Sequence, residues 1–220
     1  MRVAFDHQIF AIQRVGGVSR YFTELLRRLP AHDVEAEVIA AAHLNTYLRT
    51  GDLRPRVRGL SVPPGLRGAG VLCKLLNEIA TPRLWRRERA DLVHETYYSP
   101  TGIGRSRRRV LTIFDMIHER FPECYPASDP TSEYKRRAVS RADHVICISR
   151  STQRDLVDLF RVDEAKTTVI YLGHELRGET RRALTDSSAP FILYVGHRGR
   201  YKNFDRLLTA FAASAKLRNT

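Results

Sequence analysis

Short apolar runs alternate along this chain with segments of helical period, and that alternation restricts the fold more than any other feature. Val3 to Phe5 reads as a strand; Val18, Tyr21, Phe22, Leu25, Leu26 and Leu29 then recur at the spacing of one helical face, which Pro30 ends. Further strands are expected at Val34 to Ala41, Asp91 to His94, Val110 to Phe114, His144 to Ile148 and Thr167 to Leu172. Helices are expected from Val71 to Thr81, again from Pro82, from Asp129-Pro130 to about Ala142, and through Leu156, Val157 and Phe160 behind a Ser149 cap. Residues 54–70 read as a Pro/Gly-rich surface loop. Strand and helix in regular succession predict a doubly wound, Rossmann-like α/β sheet, whose ligands sit at the carboxyl ends of its strands.

Two places in this pattern suit phosphate. Gly16-Gly17 joins the first strand to the first long helix, where a side chain would keep a phosphate from the backbone amides, although the three-glycine dinucleotide fingerprint is absent. Near the other end, Phe191 to Val195 reads as a buried strand, followed by a turn with Gly196 and Gly199 and by a helix capped at Asn203. Phe204, Leu207, Leu208 and Phe211 would be the buried face of that helix, and Arg198, Arg200 and Lys202 stand at its positive amino end. The polar stretch 175–190 is the expected linker between an N-terminal domain, 1–174, and the first strand and helix of a second Rossmann-like domain, 191–220. Two strand ends should bring His94, Glu95, Asp115, His118 and Glu119 to one rim of the sheet, where they are candidates for hydroxyl binding and proton transfer.

The formal charge of +13 points to an anionic partner: phosphorylated small molecules, an anionic membrane surface or nucleic acid. Dispersed basic residues and the lack of a legible recognition module speak against nucleic acid. Lys74, Arg83, Arg86 and Arg87 beside Leu72, Leu75 and Ile79 could face a membrane, but a core-packed helix with a solvated basic side is the more economical reading. Cys73, Cys124 and Cys147 lack metal-ligand spacing and an even count, so neither a metal nor a disulfide framework is expected. No apolar run reaches membrane-spanning length and no secretory leader is legible, so a cytoplasmic protein, peripheral at most to the inner membrane, is expected.

Asp6-His7-Gln8-Ile9-Phe10 with Gly16-Gly17-Val18-Ser19-Arg20-Tyr21-Phe22, then His94-Glu95-Thr96-Tyr97-Tyr98, Asp115-Met116-Ile117-His118-Glu119, Ile148-Ser149, and Val195-Gly196-His197-Arg198 with Tyr201-Lys202-Asn203-Phe204, resemble glycosyltransferase family 4 in order and content. The flavour is that of bacterial mannosyltransferase-like enzymes of polysaccharide and lipopolysaccharide assembly. The resemblance implies a GT-B architecture and retaining transfer of a hexose, such as mannose, from a nucleotide sugar to a glycan or lipid-linked acceptor, with neither metal nor cofactor. It implies that Arg198, Lys202, Gly16 and Gly17 hold the donor diphosphate, that Asp115 and His118 take part in catalysis, and that His94, Glu95, Tyr97 and Ser149 contact acceptor or sugar. Phe114 stands where many relatives carry a histidine. The family's paired glutamates would lie past Thr220, so a chain cut short within its second domain, with little turnover alone, is expected. The alternative is a non-catalytic basic module that binds anionic glycans, a membrane surface or a partner chain.

Overall fold

The computed structural model describes residues 1–63, 65–87, 90–174, 192–196 and 198–215. In order along the chain these form β1 (Arg2–Phe5), α1 (Gln8–Ile12), α2 (Gly17–Arg28), β2 (Glu35–His43), β3 (Val57–Ser61), α3 (Ala69–Arg87), β4 (Ala90–Glu95) and β5 (Ser106–Ile113). There follow α4 (Ile117–Arg120), α5 (Thr131–Arg141), β6 (His144–Cys147), α6 (Arg150–Phe160), β7 (Thr167–Val169) and α7 (Phe204–Ala213). The seven strands make one sheet in the order β3-β2-β1-β4-β5-β6-β7, and every pairing is parallel. The expected α/β class and doubly wound sheet are present.

Alternation along the central strands distributes the core. Val3 and Phe5 of β1 pack with Val38 of β2 under Phe22 and Leu26 of α2, while Ala4, Ile39 and Val93 meet Trp85 of α3. A third cluster joins Leu111, Ile113, Val145 and Cys147 to Ala138 and Val139 of α5 and Leu156 and Phe160 of α6. Successive residues of a strand face opposite sides, so β1 needs apolar cover on both.

Residues 54–70, expected as loop, contain the edge strand β3. Its register against β2 shifts between Ile39 and Ala42, and Gly59, at φ +150°, approaches so closely that a β-carbon there would lie 1.4 Å from the carbonyl oxygen of Ala40. A mostly exposed strand built on a bulge and a close glycine has no apolar alternation to read.

The two helices expected to either side of Pro82 are one, α3. Its inward face sets polar contacts between apolar Cys73 and Trp85: Asn77 Nδ2 donates to Ala42 O at 2.8 Å and to Cys73 O at 2.8 Å, Thr81 Oγ1 donates to Asn77 Oδ1 at 2.8 Å, and Ala41 N donates to Thr81 Oγ1 at 3.3 Å. These bonds seat the helix on the bulged part of β2 just ahead of the proline, Trp85 packs on the sheet after it, and the Arg83 guanidinium donates to Ile79 O at 2.5 Å. The helix is core-packed, as expected, through Cys73, Asn77, Thr81 and Trp85, but Val71, Leu75 and Ile79 lie outward, 65%, 51% and 62% exposed, so the expected apolar face is not the buried one.

Two compact units divide the chain: Met1–Met116 with Asp129–Leu172, and Ile117–Ser128 with Gly173–Thr220. In the second unit the expected strand at 191–195 is absent over its described part. Ile192, Leu193 and Val195 are exposed and, among the described residues, no strand pairs with them; a parallel strand without ladder partners or covering helices has nothing to hold it. The helix α7 follows as expected, yet Leu207, Leu208 and Phe211 remain exposed, and Asn203 occupies the cap position at φ 56° without a side-chain capping bond. The expected linker, 175–190, lies outside the described residues.

Candidate functional site

Strand order reverses between β1 and β4, and their carboxyl ends open a crevice there, the place where such sheets bind ligands. Asp6, just past β1, staples the two strand ends together. It is fully buried; its Oδ1 accepts from Thr96 N at 3.1 Å, Thr96 Oγ1 at 2.5 Å and Gln8 N at 3.2 Å, and its Oδ2 from Gln8 Nε2 at 2.7 Å. Burial raises its carboxyl above the usual carboxylate range, and the Thr96 and Gln8 donors act against that rise.

Beside this staple runs a groove of about 1020 Å³, walled by α1, α3 and the loop of residues 97–105. His7, Gln8, Asn77, Trp85, Tyr97 and Tyr98 line it, so polar groups are set among aromatic faces, as in a pocket that takes sugars or other polyols on an apolar bed. Tyr97 and Tyr98 stack at 4.6 Å. Burial, then the carboxylates of Asp115 and Asp129, raises the Tyr97 hydroxyl above its ordinary value. His7 was not singled out as a site residue by its sequence, although its place directly after a strand-end aspartate could have marked it. Burial lowers its imidazole to about 4, so it is neutral near pH 7.

Of the acceptor residues expected from sequence, only Tyr97 lines this groove. His94 and Glu95 belong to β4 itself, not to the rim beyond it. His94 has its Nε2 2.8 Å from Thr112 Oγ1, with the rings of Phe5 and Phe22 at 5.6 and 5.1 Å. Burial lowers it to about 3, which makes it a neutral core histidine. Glu95 is fully buried between Arg109 and Arg141. Ser149 caps α6, its Oγ accepting from Thr152 N at 3.1 Å. Phe114 packs edge-on against Tyr21 at 5.5 Å and Phe22 at 6.1 Å, so this ring belongs to the α2 core.

Asp115 follows β5 half-buried, and its carbonyl oxygen accepts from the wholly buried Lys135 Nζ at 3.0 Å. Gly16 caps α2, whose first turn is also met by Gln13: Oε1 accepts from Ser19 N at 2.9 Å. A β-carbon on Gly17 would touch no described atom, so the packing of the first unit does not itself require glycine there.

In the second unit His118, on α4, stacks on Tyr125 at 3.9 Å. Arg198 is exposed and lies with its guanidinium 5.0 Å from the Phe204 ring, and Lys202 closes the turn before α7, its N donating to Gly199 O at 2.8 Å. The basic turn ahead of a helix is therefore present, and Asp115 and His118 fall in separate units.

A family model described as Glycosyltransferase Family 4 matches residues 15–177, which takes in α2, every strand after β1, and the α3 and 97–105 walls of the groove, while β1, His7 and the α1 wall precede it. A search of curated proteins finds no match.

Proposed function

The chain belongs to glycosyltransferase family 4, and from that premise we propose that it moves a hexose, such as mannose, from a nucleotide sugar to a glycan or lipid-linked acceptor with retention of anomeric configuration. The observation that carries the reading is the groove at the β1/β4 switch point, whose hydroxyl, amide and imidazole groups among tyrosine and tryptophan faces suit a saccharide. Arg198 and Lys202, ahead of α7, are assigned to the donor diphosphate, and the backbone amides at Gly16 and Gly17, ahead of α2, are a separate candidate for phosphate contact. The charge that gathers on the leaving diphosphate then meets fixed cations and amides, which favours the transition state over the bound ground state. Asp115 and His118 serve the reacting sugar and acceptor hydroxyl, and Tyr97 and His7 contact the acceptor.

Filling the groove tests this. Ile12→Trp and Thr101→Trp change exposed residues of its wall, and each is expected to weaken binding of an acceptor saccharide roughly tenfold or more by calorimetry while leaving the thermal midpoint nearly in place. Unchanged acceptor affinity in both variants would remove the groove from the mechanism.

One observation favours membrane contact as a second element of the function. The outward face of α3 sets exposed Val71, Leu75 and Ile79 beside Lys74, Arg83 and Arg86, an apolar strip edged with cations that suits an anionic lipid surface carrying the acceptor. Co-sedimentation with phosphatidylglycerol-containing vesicles is expected to be salt-sensitive and to be lost when Leu75 and Ile79 both become Glu. Binding that survives this double change would place the lipid contact elsewhere.

A further inference from the structure

We propose that Glu95 is the positioning residue of the groove: it aligns Arg109 and Arg141, and these two arginines fix the backbone of residues 99–104 that forms one groove wall. The inference rests on the acceptor reading of the groove only for its functional consequence; the clamp itself is a matter of geometry.

Glu95 has no exposure, and the side chains of Arg109 and Arg141 are 16% and 20% exposed. Arg141 grips the carboxylate with two atoms, Nε to Oε1 at 2.9 Å and Nη2 to Oε2 at 2.6 Å, and Arg109 Nη1 donates to Oε1 at 2.5 Å. What separates this cluster from an ordinary ion pair is where the remaining guanidinium hydrogens go. Arg109 donates from Nη1 to Ile103 O at 3.0 Å and from Nη2 to Gly104 O at 3.0 Å. Arg141 donates from Nη1 to Ser99 O at 2.8 Å and from Nη2 to Ser99 Oγ at 3.2 Å. One carboxylate from β4 thus directs a donor from β5 and a donor from α5 onto three carbonyls of a single loop.

The loop has no slack against this clamp. A β-carbon on Gly102 would come within 3.3 Å of both Arg109 Cζ and Arg141 Cδ, and one on Gly104, at φ +82°, would come within 2.8 Å of the Trp85 ring. Residues 99–104 are therefore held between two guanidinium planes and the indole, and Trp85 also lines the groove. A flat fork that satisfies a carboxylate and backbone carbonyls at once is a geometry open to arginine and not to lysine.

The test is Glu95→Gln, which keeps the shape and removes the charge that both arginines share. Trp85 is the chain's one tryptophan, so its emission reports this wall alone. The helical circular dichroism is expected to persist while Trp85 emission shifts to the red and amide exchange over residues 99–104 rises roughly tenfold or more. Acceptor saccharide affinity is expected to fall with donor affinity unchanged, a split that general destabilisation would not give. Arg141→Lys, which retains the charge and loses the fork, provides the measurement should Glu95→Gln fail to fold, with faster exchange expected around Ser99. A folded Glu95→Gln protein with unaltered Trp85 emission and loop exchange would overturn the proposal. A loosened loop with acceptor affinity untouched would uphold the clamp and instead count against the acceptor reading of the groove.

Discussion

Replacing Arg198 by alanine is expected to lower turnover by about a hundredfold or more relative to the unsubstituted protein, with little change in the unfolding midpoint. The asymmetry follows from its setting. Arg198 is exposed, precedes the turn that opens α7, and touches the Phe204 face at 5.0 Å, a cation–π contact worth only about 0.5–1 kcal/mol at such a site. Little folding energy depends on it, whereas the proposed role places it against a diphosphate whose negative charge grows as the glycosidic bond breaks. Stacking on Phe204 would orient the guanidinium beforehand, so Phe204→Ala should give a smaller loss in the same direction. Arg198→Lys should recover part of the rate, since it keeps the charge and gives up the bidentate fork. Initial rates of nucleoside diphosphate release, with thermal unfolding in parallel, check this. A fall of less than about threefold would mean that this turn does not hold the leaving group.

The second large effect concerns the fold. Phe22→Ala should destabilise the protein by about 3–5 kcal/mol, a large part of the stability of an ordinary domain. Phe22 is wholly buried, and its ring meets Tyr21 at 5.0 Å, His94 at 5.1 Å, Phe5 at 5.6 Å and Phe114 at 6.1 Å. Alanine would leave a void bounded by α2, β1, β4 and the end of β5, all rigid elements that cannot close over it. The same void would loosen the amino end of α2, where Gly16 and Gly17 stand. Phe22→Leu, which fills most of the space, should cost clearly less. Urea unfolding with an unchanged m-value checks both variants, and a cost below about 1 kcal/mol for alanine would show that the aromatic cluster does not anchor α2.

The sheet was legible because its inner strands carry short apolar runs: Val3 to Phe5, Leu111 to Ile113, and Val145 with Cys147 are buried as their composition promises. The edge strand β3 was not, since it is mostly exposed and exists through a bulge and a close-approaching glycine, neither of which leaves a periodic trace. The helix α3 was legible for the wrong reason. Leu72, Leu75 and Ile79 announced it, yet the residues that seat it are Cys73, Asn77, Thr81 and Trp85, two of them polar and bonded to a bulged strand.

The site was read in outline only. Sequence order places His94 and Glu95 near a strand end, but burial decides their employment: the ring of one packs among phenylalanines, and the carboxylate of the other goes to two arginines. Those arginines sit 14 and 46 residues away from Glu95, so no local pattern could announce the clamp. His7 and the 97–105 wall become visible as a site only once β1 and β4 are neighbours.

The central claim, sugar transfer from a nucleotide donor to an acceptor seated at the β1/β4 switch point, is most directly tested by NMR of the product accumulated over a long incubation with both substrates. The account predicts a new glycoside with the anomeric configuration of the donor, formed only when nucleotide sugar is present and diminished in step with acceptor binding in Ile12→Trp and Thr101→Trp. A product of inverted configuration, or transfer that proceeds unimpaired with the groove filled, would contradict it.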